Sequence, residues 1–271
     1  MPANPDYARY RCLRIEKQDG LATVTLDRAE TRNQIDRAFH HELQDVWRDL
    51  AEDRQINAVL LTGAGRYFSV GGNVKGMLER PGGDVFEEGE MIEPRSARKI
   101  VQNILDCEVP VVCAINGDCI GLAATVALFC DITVCADDAR IGDPHVRIGL
   151  VAGDGGAVIW PMLVGPNRAK ELLMRGSLVS GADAARIGLV NHAVPRDEVL
   201  TKAREIAREL ADGPRWAIRW TKLAVNKAIK DQVNLILDAS FALEMATFRT
   251  EDHREAVRAF AEKRKPRFTG R

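Results

Sequence analysis

Two glycine-bearing segments and one histidine–aspartate pair are the residues of this 271-residue chain whose types and spacing can do chemistry. The first segment, Gly63-Ala-Gly-Arg-Tyr-Phe-Ser-Val-Gly-Gly-Asn-Val-Lys-Gly-Met77, follows the apolar run Ala58-Val-Leu-Leu61. The second, Asn116-Gly-Asp-Cys-Ile-Gly-Leu-Ala-Ala-Thr125, follows Val111-Val-Cys-Ala-Ile115. Each reads as a buried strand, a tight loop and a helix start, an arrangement that leaves backbone N–H groups unpaired. Two such exits converging on one oxygen make an oxyanion hole, which stabilises charge that develops only during reaction. His145, in Gly142-Asp-Pro-His145, titrates near physiological pH and is a good general base. Asp154, in Gly153-Asp154-Gly155-Gly156, can fix the tautomer of that ring and stabilise its imidazolium. As the residue before a helix start, Asp154 is equally well read as an N-cap. Asp143 is a second candidate partner, with its side chain expected to face away from the ring.

The other titratable residues suggest less. His192 and His253 fall in helix-edge or surface contexts and read as inert. His40 and His41 open a helix turn and read as exposed. Glu244, on a C-terminal helical stretch, reads as structural. The six cysteines show no CxxC spacing, so neither a metal site nor a redox dithiol is indicated. They read as buried free thiols in a reducing compartment. A formal net charge of -1 gives no reason to expect nucleic acid or an anionic membrane as partner. With no apolar signal core and no apolar stretch of membrane length, the reading is a cytoplasmic protein.

Elements that position these residues follow from the patterning. Short strands are expected at Cys12-Leu-Arg-Ile-Glu and Leu21-Ala-Thr-Val-Thr-Leu26, separated by the turn at Asp19-Gly20. Phe39, Leu43, Val46, Trp47 and Leu50 keep helical spacing over about 36–53. Strands 58–61, 111–115 and 132–136 alternate with helices after each glycine loop and around 95–106, which implies a largely parallel wound sheet. Residues 80–93 read as a surface loop or lid. Beyond a strand near 190–194 the chain reads as helical: 196–211, 214–230, 232–248 and 250–263. The fold class is therefore α/β with a helical C-terminal region, divided into a core over 1–195 and a helical part over 196–271.

The ordered set Leu26-Asp-Arg-Ala-Glu-Thr-Arg-Asn33, Phe68-Ser-Val-Gly-Gly-Asn-Val-Lys75, Pro110-Val-Val-Cys-Ala-Ile-Asn-Gly117, Cys130-Asp131-Ile132 and Ala259-Phe-Ala-Glu-Lys-Arg-Lys-Pro-Arg-Phe268 resembles the enoyl-CoA hydratase/isomerase (crotonase) superfamily. The resemblance runs nearly end to end. It implies a spiral of ββα units, a C-terminal region used for trimerisation, and assembly as a trimer or a hexamer. It further implies an acyl-CoA thioester substrate whose carbonyl becomes an enolate, with coenzyme A entering as part of the substrate and no separate cofactor. Matching positions assign the oxyanion N–H donors to Gly72 and Leu122, with Val70 and Thr125 lining the pocket. Coenzyme A contacts map to Arg28, Lys75, Phe260 and Lys263, cations for phosphate and apolar surface for adenine.

The chain departs from that family at the acid/base positions. Hydratases of the family carry two glutamates, where this sequence has Thr125 and His145. Threonine has no acid/base pKa near neutrality, so proton handling falls to His145, with Asp154 as its candidate partner. The segment from Asp143-Pro-His145 to Val158-Ile-Trp-Pro161 resembles the β-diketone hydrolase branch, which cleaves a C–C bond by water attack on a ketone. Three functions therefore stand: an acyl-CoA hydratase or isomerase with altered acid/base residues, a C–C hydrolase of a β-diketone or cyclic β-ketoacyl-CoA, and a non-catalytic CoA-binding or scaffold subunit.

Overall fold

A computed structural model describes residues 5–74 and 94–271, without the side chains of 94–97. Lys75, the short helix expected after the first glycine loop and the loop at 80–93 lie outside the described residues. The chain opens with β1 (Leu13–Gln18), β2 (Leu21–Leu26) and α1 (Arg37–Glu52). Next come β3 (Ala58–Gly63), α2 (Pro94–Asp106), β4 (Val111–Ile115), β5 (Cys119–Ile120) and α3 (Leu122–Phe129). The third stretch is β6 (Ile132–Ala136), β7 (Arg140–Gly142), a 3-10 helix (His145–Ile148), α4 (Gly156–Val164), α5 (Pro166–Arg175), β8 (Leu178–Ser180) and α6 (Gly181–Arg186). The chain ends with β9 (His192–Val194), α7 (Val199–Asp212), α8 (Arg215–Thr247) and α9 (Glu251–Ala261).

The strand, strand, helix rhythm is thus repeated along the first two thirds of the chain. The main sheet has the order β1-β2-β3-β4-β6-β9, antiparallel only at its β1–β2 edge. Its central strands β3 and β4 are buried along their whole length, as a parallel sheet covered on both faces requires. Trp47, Phe39, Leu43 and Leu50 of α1 are buried together, the face that helical spacing predicts. A second sheet, β5-β7-β8, has strands of only two or three residues, too short for any periodicity to announce. All six cysteines are free and buried. Among the described residues no helix is long and apolar enough to cross a membrane.

Two expectations need correction. The helices expected at 214–230 and 232–248 are one 33-residue helix, α8. No Gly or Pro occurs between Arg215 and Thr247, so nothing in the backbone ends it. Its buried side is unusually polar: Arg219, Lys222, Asn226, Ser240 and Glu244 alternate with Val233, Leu237 and Phe241. Lys222 pairs with Asp131 at 2.7 Å and donates to the Val109 carbonyl, and Asn226 donates to the Leu105 carbonyl. These bonds fasten α8 across the end of α2 and the start of β4. The stretch after Asp154 also holds more helix than its one expected helix start, since α4 and α5 follow each other through Gly165 and Pro166.

Candidate active site

The two strand exits are laced together before any catalytic side chain is added. The Asn116 side chain donates to the Gly63 and Gly65 carbonyls and accepts from the Gly63 N–H. Further along, Ser69 N–H donates to the Asp118 carbonyl, and Ile120 N–H donates to the Ser69 carbonyl. Gly71 takes φ 78° and lies so near the second loop that a Cβ there would stand 2.6 Å from the Ile120 carbonyl oxygen. Only glycine meets both demands cheaply. The loops therefore run side by side, with Gly72 on one and Gly121-Leu122 on the other. Gly121 gives its N–H to the Gly142 carbonyl, whereas neither the Gly72 nor the Leu122 N–H has a backbone acceptor among the described residues. Val70 is half-buried on the first loop, and Leu122 and Thr125 are buried on α3.

Asn33 supports this arrangement in a way the sequence reading missed. Fully buried at φ 54°, it donates from one amide nitrogen toward the Ala64, Tyr67 and Phe68 carbonyls. Its own carbonyl accepts from the Ser69 hydroxyl, which in turn accepts from the Gly71 N–H. An asparagine in a polar connector is the one signal available, since that residue type tolerates positive φ.

His145 sits beside the second loop, with its Cε1 carbon 3.7 Å from where a Gly121 Cβ would stand. Three elements bring carboxyl groups to its ring. Asp143, from the turn after β7, does not face away. Its side chain is fully buried, and its Oδ1 meets Nδ1 of His145. Asp154, from the turn before α4, lies 3.7 Å from the other nitrogen, Nε2. Glu244, from α8, lies 3.9 Å from the same Nε2. It is a member of the site rather than the structural residue its sequence position suggests. Thr125 Oγ1 donates to Asp154 Oδ1 at 3.2 Å, and the Gly156 N–H is directed at the same carboxylate. The N-cap of α4 is Gly155, with no side-chain capping bond, so Asp154 is not the N-cap its sequence position suggests; its carboxylate lies toward the Gly156 amide and the imidazole.

Charge in this enclosure is redistributed. Burial opposes a charge on His145, but Asp143, Asp154 and Glu244 together hold its pKa well above the ordinary histidine value. Burial, reinforced by the Asp154 charge, pushes Glu244 up to about 8. Burial raises Asp154 as well, against the opposing pull of His145. These shifts favour a proton on the His145 ring and on the Glu244 carboxyl. Asp143, His145 and Asp154 also have the donor types of a metal site, with one atom of each inside 4.8 Å of the others. The hydrogen bond that Asp143 makes to Nδ1 already occupies one ring nitrogen and one carboxylate oxygen.

α8 clasps the Asp154 turn from outside. Ser240 Oγ donates to the Gly153 carbonyl, and Thr247 Oγ1 accepts from the Val151 N–H. His253 is buried on α9 rather than at the surface, with Nδ1 2.7 Å from the carbonyl of Ile148, the last residue of the His145 helix. His40 is half-buried, and burial lowers it to about 4, while His41 and His192 are exposed. Of the expected coenzyme A contacts, Arg28 is ion-paired to Asp36 at 2.6 Å. Phe260 is 52% exposed at the end of α9, and Lys263 is exposed just beyond it.

The sequence profile of the enoyl-CoA hydratase/isomerase family matches residues 16–271, and the chain belongs to that family. It is 34% identical over 266 residues to a probable enoyl-CoA hydratase of Rhodobacter capsulatus, covering 97% of this chain and 99% of that protein. An enoyl-CoA hydratase/isomerase from Mycobacterium paratuberculosis superposes with a TM-score of 0.86 at 32% identity, covering 93% of this chain and 99% of that one. A β-diketone hydrolase from the cyanobacterium Anabaena sp. PCC 7120, bound to (S)-3-oxocyclohexyl acetic acid, superposes with a TM-score of 0.80 at 27% identity. That alignment covers 90% of this chain and 96% of the other.

Proposed function

We propose that this chain transforms an acyl-CoA thioester through an enolate, as a hydratase or isomerase whose proton traffic runs through His145. One observation carries the reading: two laced strand exits each hold an N–H without a backbone acceptor among the described residues, and the second of them lies against the His145 ring. The thioester oxygen accepts from Gly72 and Leu122 N–H, so negative charge forming on it is met by dipoles already in place. His145 Nε2 exchanges a proton with the substrate carbon beside that carbonyl. Asp154 and Glu244 face the same nitrogen and take the part of the missing glutamate pair, holding water or the second proton. Val70, Leu122 and Thr125 bound the acyl group. Coenzyme A lies along Arg28, Lys75, Phe260 and Lys263, and a phosphate there has to share Arg28 with Asp36. Residues 1–195 form the catalytic unit in this reading, and 196–271 close the pocket and join subunits as a trimer or dimer of trimers.

A second reading draws on the likeness to the Anabaena hydrolase and on the same histidine. Water deprotonated at Nε2 adds to a ketone of a β-diketone or cyclic β-ketoacyl-CoA. The C–C bond then breaks, its electrons pass into an enolate held by the two N–H groups, and protonation of that enolate completes hydrolysis. Purified protein incubated with crotonyl-CoA, a β-ketoacyl-CoA and a cyclic β-diketone separates these readings. Loss of enone absorbance with the first substrate, abolished by His145→Ala, is the expected result. Enoyl-CoA turnover that survives His145→Ala rules out the assignment. Diketone cleavage without coenzyme A binding reverses the order, and binding without any turnover leaves the scaffold reading.

A further inference from the structure

Resting on the reading of His145 as the proton-handling residue, the contacts of its ring separate into two sides. Asp143 alone meets Nδ1, and it also accepts from the His145 backbone N–H at 3.4 Å. Pro144 between them fixes the short turn that makes both contacts from one carboxylate. Asp154 is elsewhere committed, to the Thr125 hydroxyl and the Gly156 N–H, and what it offers the ring faces Nε2 together with Glu244. The remaining Asp143 oxygen, Oδ2, is buried with no hydrogen-bond partner among the described residues. It lies against Gly156, where any Cβ would collide with it. A buried carboxylate with one bare oxygen is poorly solvated and needs a cation beside it. The His145 ring, when protonated, is the cation in contact with that carboxylate.

We propose that Asp143, not Asp154, is the positioning carboxylate of His145, keeping a proton on Nδ1 and presenting Nε2 to the reacting atoms. A carboxylate on Nδ1–H selects one tautomer and one ring orientation, and it favours the charged ring when Nε2 takes up a proton. Asp154 and Glu244 are then left on the substrate side, where they share protons with Nε2. The groups facing the ring are Asp143 from the turn after β7, Asp154 from the turn before α4 and Glu244 from α8. A merely structural Asp143, holding the 3-10 helix by its backbone contact, predicts a change in stability alone.

The test uses the full chain with ring-labelled histidine, followed by NMR across pH without substrate, the His145 signal being the one lost in His145→Gln. Wild-type His145 is expected to keep Nδ1 protonated at every pH of the titration. In Asp143→Asn, isosteric and therefore able to fold, the midpoint falls by about 1–2 pH units and the neutral tautomer changes. On the acyl-CoA substrate that turns over, kcat falls roughly 10²- to 10⁴-fold while KM changes by no more than about threefold. The proposal is overturned if folded Asp143→Asn keeps the wild-type tautomer and midpoint, or if Asp154→Asn produces the tautomer change instead. Wild-type protein that turns over none of the substrates defeats the functional reading, and the NMR arm still decides the role of Asp143.

Discussion

Glu244 is where a single side chain links proton binding to folding. Its carboxyl ionises in the ordinary acidic range when the chain is unfolded and near 8 when folded. Folding therefore takes up a proton between those limits. The stability this supplies is complete at acid pH below the unfolded value and is lost as pH rises through 8. Glu244→Gln should flatten that decline and leave the variant more stable than wild type by about 1–3 kcal/mol at pH 8.5, read from urea denaturation at pH 6 and 8.5. Identical slopes in both proteins would contradict the shift. His145 stood out in the sequence because it falls where hydratases of the resembling family carry a glutamate, and imidazole can handle protons there. Its partners were harder to see. Asp143 is adjacent in sequence, yet which way a side chain leaves a turn depends on backbone angles that residue spacing does not encode. Glu244 reaches the ring only through tertiary packing of α8, and helical periodicity tells which residues share a face, not what that face meets.

At the level of elements, the site rests on close approach between two loops, so glycine at the crossing carries a measurable cost. Gly71→Ala places a Cβ 2.6 Å from the Ile120 oxygen in a backbone conformation with φ 78°. The expected loss is about 2–3 kcal/mol in denaturation, and turnover should fall further than that loss accounts for, because the Gly72 N–H moves with the loop. A variant with normal turnover would show that the loop spacing is not critical. The long strands and α1 were legible because their burial is regular: six consecutive buried residues in β3, and a clean 3–4 spacing in α1. The β5-β7-β8 sheet escaped notice since two-residue strands carry no pattern. The expected division of α8 at 230–232 has no Gly or Pro behind it, and its continuity follows from that absence.

For the molecule as a whole, α8 also carries exposed apolar residues: Trp216, Trp220, Val225, Leu235 and Leu243, each at least 55% exposed. Apolar surface of this extent on one helix calls for cover, which the proposed assembly into a trimer or hexamer would supply. Light scattering on the purified protein should give three or six times the chain mass, and a monomer at micromolar concentration would refute the assembly. The opposite face of the same helix has a separate consequence. Lys222 and Asn226 are fixed at one end, and Ser240, Glu244 and Thr247 grip the active-site turn at the other. An unbroken helix between those anchors acts as a ruler. Removing one residue from its middle turns everything beyond by about 100° and draws it back by about 1.5 Å. Glu244 would then point away from the imidazole with its identity unchanged. The number of residues between Asn226 and Ser240 therefore fixes the place of the Glu244 carboxyl in the proposed site as firmly as its identity does, and insertions tolerated in surface loops have no harmless place there.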